Sequence, residues 1–245
     1  MCLIAVANRC LPGVRTLLVG NRDEFLTRPT AAAHHWPEGL VGGRDLKAQG
    51  GWMLLRPGGG FAALTNLRKP EHMRPHAGPS RGELVVQGAL AASAAAYATS
   101  VPRQAYAGFN LLVDDGEALW VVGSDTPPQA VEPGVHGLSN AVLNAPWPKT
   151  RALVEAVQAY GLDPDALLGA LRNPARYPDR ELPSTGVPLP VERALSAAFV
   201  DLDGYGTTVS TVAWIRDDGQ WGFIERGRDG GEARLGLAAG SSPAP

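Results

Sequence analysis

Cysteine is nearly missing from this 245-residue chain: there are two, Cys2 and Cys10, too few for a disulfide framework. Lysine is almost as scarce, with only Lys47, Lys69 and Lys149, so arginine supplies most of the 22 basic residues. Set against 24 acidic residues, they leave a net charge of -2. That balance argues against a nucleic-acid groove or a polybasic membrane face. Long apolar runs are lacking too. The first covers only residues 3–7 with no basic flank ahead of it, and glycine, proline or charge breaks every later one. Neither a signal peptide nor a membrane span is expected. There is no Gly-x-Ser-x-Gly, and Gly58-Gly59-Gly60 lacks the Lys-Ser/Thr of a phosphate loop. His72 and His76 have ligand-like spacing, but Pro75 breaks the helix that would align them, so no metal site is expected.

What is present is the composition of a folded soluble protein, 44% hydrophobic and 19% charged. A cytoplasmic chain with reduced thiols is the reading. A fold of this size buries roughly 70–75% of the surface its unfolded chain exposes and needs no staples. No repeat or linker divides it. One domain over residues 1–239 is expected, with residues 240–245 (GSSPAP) as a disordered tail.

Residues 2–7 and 14–19 are apolar and partly β-branched, and a turn at 8–13 makes them a hairpin. A polar cluster, Asn21-Arg22-Asp23-Glu24, stands at the mouth of the second strand. Residues 52–56 and 61–65 flank a Pro-Gly turn and read as another hairpin. The spacing over 82–97 predicts one amphipathic helix, with Ser80 and Glu83 as a capping box. Strands follow at 107–113, 118–122 and 134–138, helices at 149–160 and 164–171, and a last hairpin at 209–215 and 221–225. The class is α+β, with helices over antiparallel sheets.

Cys2 draws the chemical interest. Removal of Met1 would leave a residue carrying both a thiol and an α-amine, whose ordinary pKa values are about 8.5 and 7.7–8.0, so the amine is poised to take the thiol proton. The bland alternative is a small apolar residue opening a buried strand. Pairing of the first two strands would bring residues 20–23 beside Cys2, where a carboxylate could hold the amine and an arginine could favour the thiolate. Asn66 and Asn140 stand at comparable strand ends, as oxyanion donors or as turn caps.

Taken in order, several motifs resemble the NRDE-motif family, the transport and Golgi organisation proteins. They include Met1-Cys2, Asn21-Arg22-Asp23-Glu24-Phe25, Arg28-Pro29, Gly43-Arg44-Asp45, Gly51-Trp52 and Ala63-Leu64-Thr65-Asn66. Ser80-Arg81-Gly82-Glu83, Gly108-Phe109-Asn110-Leu111, Gly137-Leu138-Ser139-Asn140, Trp147-Pro148-Lys149, Tyr205-Gly206-Thr207 and Glu225-Arg226 continue the series. The resemblance implies a four-layer αββα sandwich of the N-terminal-nucleophile hydrolase kind. It implies Cys2 as nucleophile with its own amine as base, Asp23 holding that amine and Arg22 beside the thiol. Asn66 would be an oxyanion donor, and Asn140 would orient the amine or polarise the substrate. Asn21, Glu24, Trp52 and Thr65 are the expected substrate contacts. One departure is Thr208, where the family pattern continues with arginine; either Arg22 or Arg226 stands in for it, or the late-strand electrostatics differ here.

Two functions follow. One is a hydrolase attacking an amide or thioester carbonyl of a small molecule, without a cofactor. The other is a non-catalytic haem- or lipid-binding and trafficking protein on the same fold, with Cys2, Met53 and the loop at His34-His35 as candidate haem contacts. The oligomeric state is left open.

Overall fold

A computed structural model describes residues 2–72 and 77–236. The N-terminal hairpin forms, β1 (Cys2–Leu11) with β2 (Val14–Phe25), but the second strand is longer than the apolar pattern predicts. It runs through the whole polar cluster because it is a central strand, paired on its other edge as far as Phe25. Next come β3 (Thr30–His35), β4 (Val41–Asp45), β5 (Met53–Leu55) and β6 (Phe61–Asn66). His34 and His35 therefore lie in a strand, not a loop.

The single helix predicted over 82–97 is two: α1 (Gly82–Leu90) and α2 (Ala94–Ser100). Ala91 turns extended, and α2 restarts with Ser93 as its cap, accepting from the Ala96 N–H. The capping box does not form. Ser80 Oγ accepts from the Gly82 N–H, and the Glu83 carboxylate takes the Tyr106 hydroxyl instead. Strands β7 (Phe109–Asp114), β8 (Leu119–Gly123), β9 (Gln129–Ala130) and β10 (Gly134–Leu138) follow, then α3 (Pro148–Tyr160), α4 (Pro164–Leu171) and α5 (Leu189–Leu195). The chain closes with β11 (Asp201–Leu202), β12 (Tyr205–Arg216), β13 (Trp221–Gly227) and β14 (Glu232–Gly236). The expected tail at 240–245 lies outside the described residues.

Among the described residues the strands form two seven-stranded antiparallel sheets. One has the order β10-β1-β2-β12-β13-β14 with β11 on β12, and the other runs β3 to β9 in chain order. Three cores stack between the layers. Ile4, Val6 and Leu18 meet Met53, Phe61 and Leu112 between the sheets. Leu3, Ala5, Leu17 and Val19, on the other face of the first sheet, pack under Leu153 and Val157 of α3 and Leu167 and Leu171 of α4. Leu84, Val85, Ala94 and Ala98 of α1 and α2 cover Leu54, Ala62 and Leu111 of the second sheet. The order is α, β, β, α, as the resemblance implies. No helix among the described residues is long and apolar enough to cross a membrane.

Candidate active site

Side chains alternate across a strand, and that period of two sorts the N-terminal residues. Cys2 pairs with Arg22, and Ile4 with Gly20, so Cys2 and Arg22 share the face that looks toward the second sheet. Asn21 and Asp23 take the opposite face, toward the helices. Cys2 is 8% exposed and opens into a cleft of about 90 Å³ where the two sheets end. Arg22, Glu24, Arg28, Asp45, Trp52, Asn66 and Arg81 line it, and Asp23 reaches its edge. The far wall depends on two glycines. A Cβ on Gly50 would fall 2.6 Å from the Gly82 backbone, so the loop before Trp52 can press against the start of α1 only without one.

Two of the cleft arginines are neutralised. Arg28 Nε donates to Asp45 at 2.6 Å; the Arg22 guanidinium lies 3.6 Å from Asp45, 3.8 Å from Glu24 and 4.7 Å over the Trp52 ring. Burial works against the Asp45 charge, but the Arg28 hydrogen bond and two loop N–H groups hold its carboxyl below the usual range. Arg81 donates to the Gly108 carbonyl at 2.9 Å. Burial lowers its pKa, and the nearby Cys2 and Glu24 oppose that.

Burial also pushes the Cys2 thiol up, and the Asp23 charge adds to this while Arg22 opposes it. The resting sulfur is therefore protonated near neutrality and needs a base to react. On the helix side, Asp23 accepts from Thr207 Oγ1 at 2.7 Å, and Tyr205 donates to its carbonyl at 2.9 Å. Burial raises the Asp23 carboxyl, with Lys149 the first group to oppose the rise.

Asn140 is fully buried and bonds to the Asn66 backbone. Its Nδ2 donates to the Asn66 carbonyl at 2.8 Å, and its own carbonyl accepts from the Arg68 N–H at 2.8 Å. Beside it, Ser139 Oγ donates to the Cys2 carbonyl at 3.3 Å. This segment after β10 thus ties the start of β1 to the end of β6 and fixes Asn66 across from the thiol.

Of the residues predicted from sequence, Cys2, Arg22, Asp23, Glu24, Trp52 and Asn66 come together at the cleft. Three do not line it. Asn21 donates to the carbonyls of Leu171 and Ala198, both at 2.8 Å, and so ties β2 to the helical layer. Thr65 is buried and accepts from Asn110 at 3.2 Å, and Asn140 stands behind Asn66. Arg226 does not fill the gap left by Thr208, because it pairs with Glu232 at 2.6 Å away from the cleft. Thr208 instead bonds to Arg22, donating to its carbonyl at 3.1 Å and accepting from Nη1 at 3.3 Å. Arg28, Asp45 and Arg81 also line the cleft, though their motifs carry no local sign of it. Their loops come to the cleft only through the second sheet.

Of the candidate haem contacts, Cys2 and Met53 line one narrow gap between the sheets, whereas the two histidines face elsewhere. Met53 packs between the sheets, His34 stacks on Trp36 and His35 meets Trp221 edge-on. His72 faces Asp125 at 3.4 Å, where Lys69 also pairs, and His76 lies outside the described residues. A larger cavity of about 380 Å³ opens beside α3, where Lys149, Ala156, Tyr160, Asn173 and Tyr177 are among its lining residues.

Comparison with known proteins agrees with the motifs. A family model described as Transport and Golgi organisation 2 matches residues 1–230. A Transport and Golgi organization protein 2 homolog of Bos taurus is 34% identical over 239 residues, covering 86% of each chain. A Homo sapiens homolog is 30% identical over the same length and coverage. The Mus musculus Transport and Golgi organization 2 homolog is also 30% identical, with 86% of each chain covered.

Proposed function

The chain belongs to the Transport and Golgi organisation 2 family, and on that premise we propose that it is a cytoplasmic N-terminal cysteine hydrolase acting on an amide or thioester carbonyl. The observation that carries this reading is the convergence of a buried thiol, Cys2, with Asn66 and Arg81 in one cleft, while Asp23 lies across the same strand start. In the proposed reaction Met1 has been removed. The Cys2 amine takes the thiol proton, and the thiolate adds to the substrate carbonyl. Asn66 Nδ2 donates to the oxyanion, a contact worth about 3–4 kcal/mol where such donors have been removed. Collapse expels an amine or a thiol, which leaves with the proton held by the Cys2 ammonium. Water then adds to the acyl-thioester, giving its proton to the amine, and the acid departs as the thiol is restored. Asp23 holds the amine throughout. The cleft is well below the roughly 300–1,000 Å³ of pockets for larger ligands, which favours a short acyl group beside the sulfur over haem.

The test is a short acyl thioester mixed with the mature protein and quenched early. The proposal expects an acyl adduct on the Cys2 peptide and released thiol, both abolished in Cys2→Ala. Turnover that survives in Cys2→Ala would overturn it. So would the absence of any adduct together with stoichiometric haemin binding, which would support the carrier reading.

A further inference from the structure

Charge does not cancel among the side chains that line the cleft. Three arginines, Arg22, Arg28 and Arg81, share it with two carboxylates, Glu24 and Asp45. Asp23 reaches only the edge, where its carboxylate accepts from Thr207 and, in the proposed chemistry, holds the Cys2 amine. Both cleft carboxylates are engaged through both oxygens. Glu24 Oε1 accepts from the Phe25 N–H at 2.8 Å, and Oε2 lies 3.8 Å from Arg22 and from Arg28. Asp45 Oδ1 accepts from the Lys47 and Ala48 N–H groups, both at 3.0 Å, while Oδ2 accepts from Arg28 at 2.6 Å.

Arg81 is the cation left over. Among the described residues no carboxylate lies within ion-pair distance of it, and its acceptor is the Gly108 carbonyl, met by Nη1 at 2.9 Å. A guanidinium has five donors in a rigid fork and stays charged at physiological pH, so most of this one is available to whatever enters the cleft. Its neighbours favour an anion as well. Ser80 Oγ accepts from the Gly82 N–H at 3.3 Å and keeps its own proton to donate, and the positive end of α1 begins at Gly82.

Resting on the proposed role of Cys2, we propose that Arg81 sets substrate specificity by binding a carboxylate at the far end of a short acyl chain whose thioester or amide carbonyl is presented to Cys2. A carboxylate matches the guanidinium fork and makes charge-assisted hydrogen bonds with it. An uncharged acyl chain of the same length would displace water from Arg81 and give it no partner. Arg22 and Arg28 cannot serve in its place, because Glu24 and Asp45 already hold them.

The test uses two alkylating reagents of nearly equal size, iodoacetate, which carries a carboxylate, and iodoacetamide, which does not. Both are applied to protein whose Met1 removal is verified by intact mass, and modification is read at Cys2 and at the exposed Cys10. Normalised to Cys10, Cys2 is expected to favour iodoacetate by about tenfold. In Arg81→Gln that preference should fall to near one. The ratio of reagents cancels a change in the reactivity of the thiol itself, so a loosened fold does not imitate the result. If Arg81→Gln does not fold, free glutarate decides: it should slow modification of wild-type Cys2, and uncharged glutaramide should not. Equal slowing by the two would overturn the proposal. A reactive Cys2 without the preference, or with the preference kept in Arg81→Gln, would also overturn it and leave the nucleophile standing. The preference together with no acylation of Cys2 by short thioesters would support the carboxylate site and overturn the hydrolase. A Cys2 that neither reagent modifies would overturn both.

Discussion

The two faces of β2 contrast within four residues. Arg22 and Glu24 look into an open cleft, where each shares its partners with loops from the second sheet. Asn21 and Asp23 look toward the helical layer, where Asn21 donates to the Leu171 and Ala198 carbonyls and Asp23 accepts from Thr207 of the neighbouring β12. One polar run therefore does two jobs. Its cleft face places charge at the cleft where Cys2 opens, and its helix face ties the strand to the helical layer and to β12. The difference teaches that adjacency in this motif does not mean adjacency in role; parity along the strand decides.

That division can be broken from either side. The largest effect is expected on the cleft face, at the residue opposite the thiol. Asn66→Ala should lower acyl-enzyme formation about 10²–10³-fold, and its unfolding free energy should stay within about 0.5 kcal/mol of wild type. A large stability loss with unchanged acylation would assign Asn66 to the scaffold instead. On the helix face the signature is reversed and smaller. Asn21→Ala removes two hydrogen bonds to buried carbonyls and should cost about 1–3 kcal/mol in denaturant unfolding. Its Cys2 alkylation rate should change little below the unfolding transition. Reactivity lost at full stability would place Asn21 in the cleft chemistry and erase the contrast.

Much of the fold was legible because apolar period and turn residues mark hairpins directly. That residues 20–23 come beside Cys2 followed from a short turn between two apolar runs; the register that sets Arg22 opposite Cys2 did not. Strands with no apolar period were not legible. Residues 30–35 and 232–236 are polar or alanine-rich, and they become strands only because a neighbour offers an edge. The break between α1 and α2 was hidden by alanines that suit a helix on either side of Ser93. At the site, the resemblance brought forward Cys2, Arg22, Asp23 and Asn66, but a list of motif residues carries no sheet face. It therefore could not separate Asn21 from Glu24, or show that Asn140 is bonded to the Asn66 carbonyl behind the cleft.

The central claim is that the thiol at position 2 reacts because it shares its residue with a free amine beside Asp23. The most direct measurement compares iodoacetamide alkylation of the mature protein with that of a form retaining Met1, each verified by intact mass and read at Cys2 against the exposed Cys10. The account predicts that Cys2 outpaces Cys10 at pH 7 only in the mature protein and falls below it when Met1 is kept. Equal Cys2 reactivity in the two forms would contradict it.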